Sequence, residues 1–173
     1  IFIGKITNGG ILVYNENDPE VKRVSEAATN PIRKLPYFTP EYSVNDGVTL
    51  LKTQEGDMPI EVFGAHNLNN LAGAKWICQN MGVDEADFYE AISSFKGASK
   101  RLEKIASTET AVAYKDFAHS PSKVSATTQA VKKQYPQKKL IACLELHTYS
   151  SLNAEFLTEY QGALDAADVA VVF

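Results

Sequence analysis

Apolar and polar positions alternate along the chain with two periods, and the switches between them outline its elements. After Gly9-Gly10, the continuous run Ile11-Leu12-Val13-Tyr14 reads as a turn into a buried strand. Asp18-Pro19-Glu20 supplies a capping carboxylate and a proline suited to the first helical position, predicting a helix to about Ala28. Between residues 31 and 62 the pattern shortens to β-favouring pieces: Leu35 to Thr39, Tyr42 to Val44, Val48 to Lys52 and Pro59 to Phe63. Asn45-Asp46-Gly47 and Glu55-Gly56-Asp57 separate the later pieces and carry hairpin chemistry.

A longer period then takes over. Leu68, Leu71, Ala74, Ile77, Cys78 and Met81 recur at three- and four-residue steps, an apolar stripe predicting a helix over 67–81 that opens at the Gly64 turn and closes at Gly82. Asp84, with Glu85 and Asp87 in its first turn, predicts a second helix running to Gly97. The polar and basic run Ala98 to Lys104 interrupts the pattern, and a domain boundary is expected there, between 1–98 and 99–173. Beyond it come a strand at Val112 to Phe117, a helix at Ser122 to Tyr135, a strand at Leu140 to Leu144, a helix at Asn153 to Ala166 and a strand at Val169 to Phe173. That order predicts an α/β class, with a doubly wound parallel sheet in the second half and ligands beyond the carboxyl ends of its strands.

Composition narrows the choices. At 45% hydrophobic residues the chain can bury a real core, and a net charge of −4 offers no electrostatic grip on nucleic acid. No apolar run approaches a membrane span, so no membrane insertion is expected. Cys78 and Cys143 lie inside apolar patterns, which reads as buried reduced thiols and a cytosolic chain. Ile1 at the start and the strand-like Val169 to Phe173 at the end give the expectation of a piece of a longer chain.

Three polar clusters could carry chemistry. Asn67 and Asn70, three apart in a first helical turn, can stack their amides, each offering one acceptor and two donors, against a donor–acceptor edge such as that of adenine. Ordinary capping explains asparagine there equally well. Lys100-Arg101 can offset phosphate charge, Arg101 by two parallel hydrogen bonds, or can be solvated linker charge. Asp116, at a strand end, can accept from paired sugar hydroxyls or cap the turn before the next helix. His119 and His147, near Glu145, have a bland reading as satisfied polar residues at strand ends. The three histidines share no zinc-ligand spacing, and no G-x-x-x-x-G-K-S/T phosphate loop occurs.

Three stretches resemble, in order and spacing, the Mur ligases of peptidoglycan synthesis. They are Gly64-Ala65-His66-Asn67-Leu68-Asn69-Asn70, Phe95-Lys96-Gly97-Ala98-Ser99-Lys100-Arg101-Leu102-Glu103 and Asp116-Phe117-Ala118-His119-Ser120-Pro121. The family patterns are G-x-H-N-x-x-N, F-x-G-x-x-R-R-x-E and D-Y/F-A/G-H-H-P. The resemblance implies the remainder of a central ATP-binding domain followed by the first part of a Rossmann-like C-terminal domain. It implies that Asn67 and Asn70 contact adenine, that His66 shapes the pocket, and that Arg101 reaches the phosphates. Asp116 would take the ribose and His119 the ATP side of the cleft. Lys100 replaces the first arginine of the second motif and Ser120 the second histidine of the third, so only His119 inherits that role.

The implied activity is an ADP-forming amide ligation through an acyl phosphate, with ATP and Mg2+ as cofactors. The magnesium ligands and phosphate loop are expected mostly outside these residues. Substrates would be UDP-N-acetylmuramate and an amino acid or peptide. Lys100, His147 and Tyr149 are the candidates on the substrate side. Cys143 to Ser150 aligns with two branches. Glu145, and the lack of an arginine before Tyr149, favour the branch that attaches L-alanyl-γ-D-glutamyl-meso-diaminopimelate; His147 and Tyr149 favour the one that adds L-alanine. The main expectation is the tripeptide branch, with L-alanine as the alternative and a non-catalytic nucleotide-binding module as the second.

Overall fold

The computed structural model describes residues 2–146 and 153–173; His147 and Tyr149 lie outside the described residues. Strand β1 (Ile11–Asn15) pairs in parallel with β2 (Arg33–Tyr37), and helix α1 (Pro19–Ala27) makes the crossover that a parallel pair needs. The Asp18 carboxylate caps α1, accepting from the backbone N–H groups of Glu20 and Val21 at 2.9 and 3.0 Å.

An antiparallel meander follows: β3 (Tyr42–Asn45), β4 (Val48–Thr53) and β5 (Gly56–Ile60). Asp46 and Gly47, with φ of 48° and 76°, make the first hairpin turn. The last strand begins at Gly56, three residues before the expected Pro59. Thr53 explains the difference: its hydroxyl donates to the Gly56 carbonyl and accepts from the Glu55 N–H, closing the turn on Gln54-Glu55 alone.

Helices α2 (Ala65–Asn80) and α3 (Glu85–Ser93) come next, α3 capped by the Asp84 carboxylate. Leu68 and Leu71 of α2 enter a core with Leu51, Ile60 and Phe88. The rest of the expected stripe does not stay inside: Ile77 is 52% and Met81 78% exposed. The helix contacts the β1–β2 pair as well as α3, so buried side chains occupy more than one face. Gly73 belongs to the buried set, and a Cβ there would sit 2.9 Å from the Tyr37 ring.

In the second half, β6 (Glu103–Ser107) and β7 (Val112–Lys115) form an antiparallel pair. Helix α4 (Pro121–Gln134) leads to β8 (Ile141–Leu144), which pairs in parallel with β9 (Val169–Val172). The class is α/β, with both parallel and antiparallel sheets. Among the described residues the strand expected at 112–117 pairs with β6, a neighbour absent from the sequence reading, and not with the parallel pair. The helix expected over 153–166 is shorter too. Helix α5 (Ala154–Leu157) tightens into a 3-10 turn at Thr158–Tyr160, and Gly162, at φ 79°, turns the chain out of helical geometry.

Helix α4 ties the halves together. The Gln134 amide donates to the Gly47 carbonyl at 2.6 Å, and its oxygen accepts from the Thr49 hydroxyl at 3.0 Å, both side chains being buried. Lys133 donates to the Tyr42 hydroxyl, and Phe63 packs with Leu102 and Ala130. Among the described residues no helix is long and apolar enough to cross a membrane. Both cysteines are free, but Cys143 is exposed and not buried as expected. It lies two residues from Ile141, 60% exposed, on the uncovered face of β8.

Candidate functional site

The turn at Gly64 sets one wall of a cleft between the halves. Its φ of 88° lies where side chains are strained, and a Cβ there would stand 2.7 Å from the Ala130 Cβ of α4. Glycine thus lets the start of α2 abut α4. Asn67 donates from its amide to the Phe63 carbonyl at 2.9 Å, which orients the side chain and leaves its oxygen and second N–H uncommitted by that bond. Asn70 stands exposed one turn on. His66 is half-buried, and that burial pushes its pKa below the ordinary 6.5 against the smaller opposing pull of the Asp116 charge. That burial favours the neutral imidazole.

The other wall is built differently. Gly97, Lys100 and Leu102 have φ of 93°, 57° and 47°, so the crossing between the halves passes through the left-handed region three times. Hydrogen bonds from β7 and its end hold it there. Asp116 Oδ2 accepts from the Leu102 N–H at 3.0 Å and the Thr127 hydroxyl at 3.3 Å. The Phe117 N–H donates to the Lys100 carbonyl at 2.9 Å. Glu103 accepts from the Lys100 N–H at 2.8 Å and the Ser99 hydroxyl at 3.2 Å. Those bonds, the Lys100 N–H first, hold its carboxyl below the ordinary 4.5.

Arg101, between the two strained residues, lies with its guanidinium 6.0 Å from the Phe117 ring centroid. The Phe117 and His119 rings are 5.0 Å apart, and His119 Nδ1 is 2.9 Å from the Phe117 carbonyl oxygen. The Tyr160 hydroxyl donates to the His119 carbonyl.

Between the walls is a cleft of about 390 Å³ lined by His66, Asn67, Asn70, Arg101 and Asp116, with Ser122, Lys123, Ala126 and Thr127 of α4. Five residues singled out in the sequence therefore meet, although they come from both sides of the expected boundary. Lys100 and His119 do not line the cleft: Lys100 contributes backbone to the crossing, and the His119 ring packs, tilted, beside that of Phe117. The α4 residues escaped the sequence reading. The one available signal was that α4 directly follows the strand end bearing Asp116.

Asn69, noted only as part of its motif, faces inward and donates to Asn15, Asn17 and Thr39 at 3.1–3.3 Å, fixing α2 over the ends of β1 and β2. Among the described residues no group of three or more His, Cys, Asp or Glu could hold a metal ion. The cleft combines the amides of Asn67 and Asn70, a carboxylate anchored through one oxygen, and the cations Arg101 and Lys123. That set suits a ligand with a hydrogen-bonding base, hydroxyls and anionic groups.

No family model matches the chain. A UDP-N-acetylmuramate–L-alanine ligase of Caldicellulosiruptor bescii is 30% identical over 183 aligned residues, covering 99% of this chain and 40% of that protein. The enzyme of the same name from Agathobacter rectalis is 34% identical over 116 residues, 67% of this chain and 25% of that protein. The chain thus spans two fifths or less of these relatives. Among solved structures, UDP-N-acetylmuramate-alanine ligase of Thermotoga maritima matches with a TM-score of 0.63 at 22% identity, over 76% of this chain and 30% of that one. A complex of FPGS with AMPPCP and folate matches with a TM-score of 0.70 at 17% identity, over 96% and 43%. At such identities these two speak for the fold alone.

Proposed function

The chain belongs to the Mur ligase family, and from that premise we propose that it forms the ATP-binding side of an ADP-forming ligase joining UDP-N-acetylmuramate to L-alanine. L-alanine replaces the tripeptide of the initial expectation because the similar ligases of Caldicellulosiruptor bescii and Agathobacter rectalis bear the L-alanine name. The observation that carries the reading is the single cleft that gathers His66, Asn67 and Asn70 from one half with Arg101 and Asp116 from the other.

In this reading, residues 1–98 belong to the central domain and 99–173 to the C-terminal one. Asn67 and Asn70 read the adenine edge, and half-buried His66 shapes the pocket beside them. Asp116 accepts from ribose hydroxyls, while Arg101 takes phosphate oxygens with its two-pronged guanidinium. His119 buttresses the ATP side through Phe117. Lys100, His147 and Tyr149 are assigned to the UDP-sugar and amine side. Mg2+ accompanies ATP, with ligands supplied by other parts of the ligase.

The γ-phosphoryl group passes to the substrate carboxylate and ADP leaves; the amine then attacks the acyl carbon and expels phosphate. This chain's share is to bind and orient, the larger part of catalysis in phosphoryl transfer. The test is ADP release by the complete ligase polypeptide with UDP-N-acetylmuramate and either L-alanine or the tripeptide. Turnover with L-alanine is expected, and none from these 173 residues alone. Turnover with the tripeptide only would overturn the choice of amine, and inactivity with both would overturn the ligase reading.

A further inference from the structure

Asp116 is held in a way the cleft alone does not require. A carboxylate turns about a broad, roughly two-fold torsion, so one hydrogen bond leaves its second oxygen free to swing. Here two donors converge on the same oxygen: the Leu102 N–H at 3.0 Å and the Thr127 hydroxyl at 3.3 Å both meet Oδ2. They arrive from different elements, one from the strained crossing and the other from α4, so together they fix the carboxylate plane as well as its position.

The neighbouring threonine shows that this is not a generic helical habit. Thr128 is buried and bonds only to backbone carbonyls, those of Val124 and Ser125 in its own helix and that of the distant Ala163. Thr127 instead lines the cleft and sends its hydroxyl to a side chain, the carboxylate of Asp116 just past the end of β7.

We propose that Thr127 is a positioning residue, which by engaging Oδ2 presents Asp116 Oδ1 to the hydroxyls of a bound nucleotide's ribose. The inference rests on the reading of Asp116 given above and goes beyond it by naming what aims that carboxylate. Thr127 touches no nucleotide in this scheme. Its loss lowers ribose discrimination without removing the acceptor.

The experiment compares KM for ATP with KM for 2′,3′-dideoxy-ATP, together with kcat, in the complete ligase and in Asp116→Ala, Thr127→Val and Thr127→Ser. The unmodified enzyme should favour ATP by about tenfold or more, the worth of hydrogen bonds to a charged group. Asp116→Ala should bring that ratio near one. Thr127→Val should reduce it about threefold or more, and Thr127→Ser should restore it. A general packing defect would affect both nucleotides alike and leave the ratio where it was; Thr127→Ala replaces the valine variant if that one does not fold. An unchanged ratio in Thr127→Val, with a collapsed one in Asp116→Ala, would overturn this inference and leave the functional reading intact. An unchanged ratio in Asp116→Ala would overturn the reading of Asp116 itself.

Discussion

The two walls of the cleft reach the same ligand-facing surface by opposite means. The α2 wall is regular: a helix started by one glycine and seated by Leu68 and Leu71 in a core with Leu51, Ile60 and Phe88. Its cleft-lining amides are lightly restrained: Asn67 makes one bond to a carbonyl, and Asn70 is exposed. The 97–116 wall is irregular, with left-handed φ at Gly97, Lys100 and Leu102, and it is held by the carboxylates of Asp116 and Glu103. Packing orders the first wall and charge-assisted hydrogen bonds order the second. The difference predicts where each one breaks.

The largest effect is expected at Gly64, where the helix wall meets α4. Gly64→Ala combines a positive φ with a Cβ only 2.7 Å from that of Ala130. Backbone strain and overpacking each cost about 1–3 kcal/mol, so the variant should lose about 2–6 kcal/mol, seen as a lower urea midpoint. An unchanged midpoint would mean that the close approach of α2 and α4 is not needed for the fold.

The same contrast explains what could be read from sequence. Gly64 and Gly82 bracket α2, Asp18-Pro19 starts α1 and Asp46-Gly47 turns β3 into β4, all by local chemistry that needs no knowledge of neighbours. Strand β6 was invisible because Glu103-Lys104-Ile105-Ala106-Ser107 has little apolar alternation and exists by pairing with β7. The end of the expected stripe on α2 failed for a related reason: periodicity shows that a helix can bury a face, not that something will cover its last turns. At the site, His66, Asn67, Asn70, Arg101 and Asp116 were recoverable as residue types at motif spacings. The left-handed crossing and the Thr127 bond were not, since Lys, Leu and a mid-helix Thr carry no local signal for either.

A smaller effect separates the walls by pH. Burial holds the His66 pKa below 6.5 in the folded chain, so the unfolded chain binds more protons between the folded value and 6.5. Stability from this group is full above 6.5, falls as pH drops through that window, and reaches its full penalty below the folded pKa. Glu103 is depressed instead, so its contribution is present above 4.5 and is lost as pH falls further through its folded pKa. Urea midpoints followed from pH 7.5 downward should therefore show the His66 loss first, absent in His66→Gln, and the Glu103 loss only in stronger acid, absent in Glu103→Gln. Coincident losses, or a His66→Gln profile like that of the parent, would contradict the assignment of the two windows.

In the proposed reading, one nucleotide is held by both walls at once. That claim is tested most directly by calorimetric ATP affinity of the complete ligase carrying Asn67→Ala, Asn70→Ala or Asp116→Ala, with thermal melting in parallel. Each variant should bind ATP about tenfold or more weakly, the cost of one or two hydrogen bonds at a partly buried site. Exposed Asn70 should show this with its melting temperature unchanged. Full affinity in both asparagine variants, or in Asp116→Ala, would contradict the claim, because one wall would then have no part in holding the nucleotide.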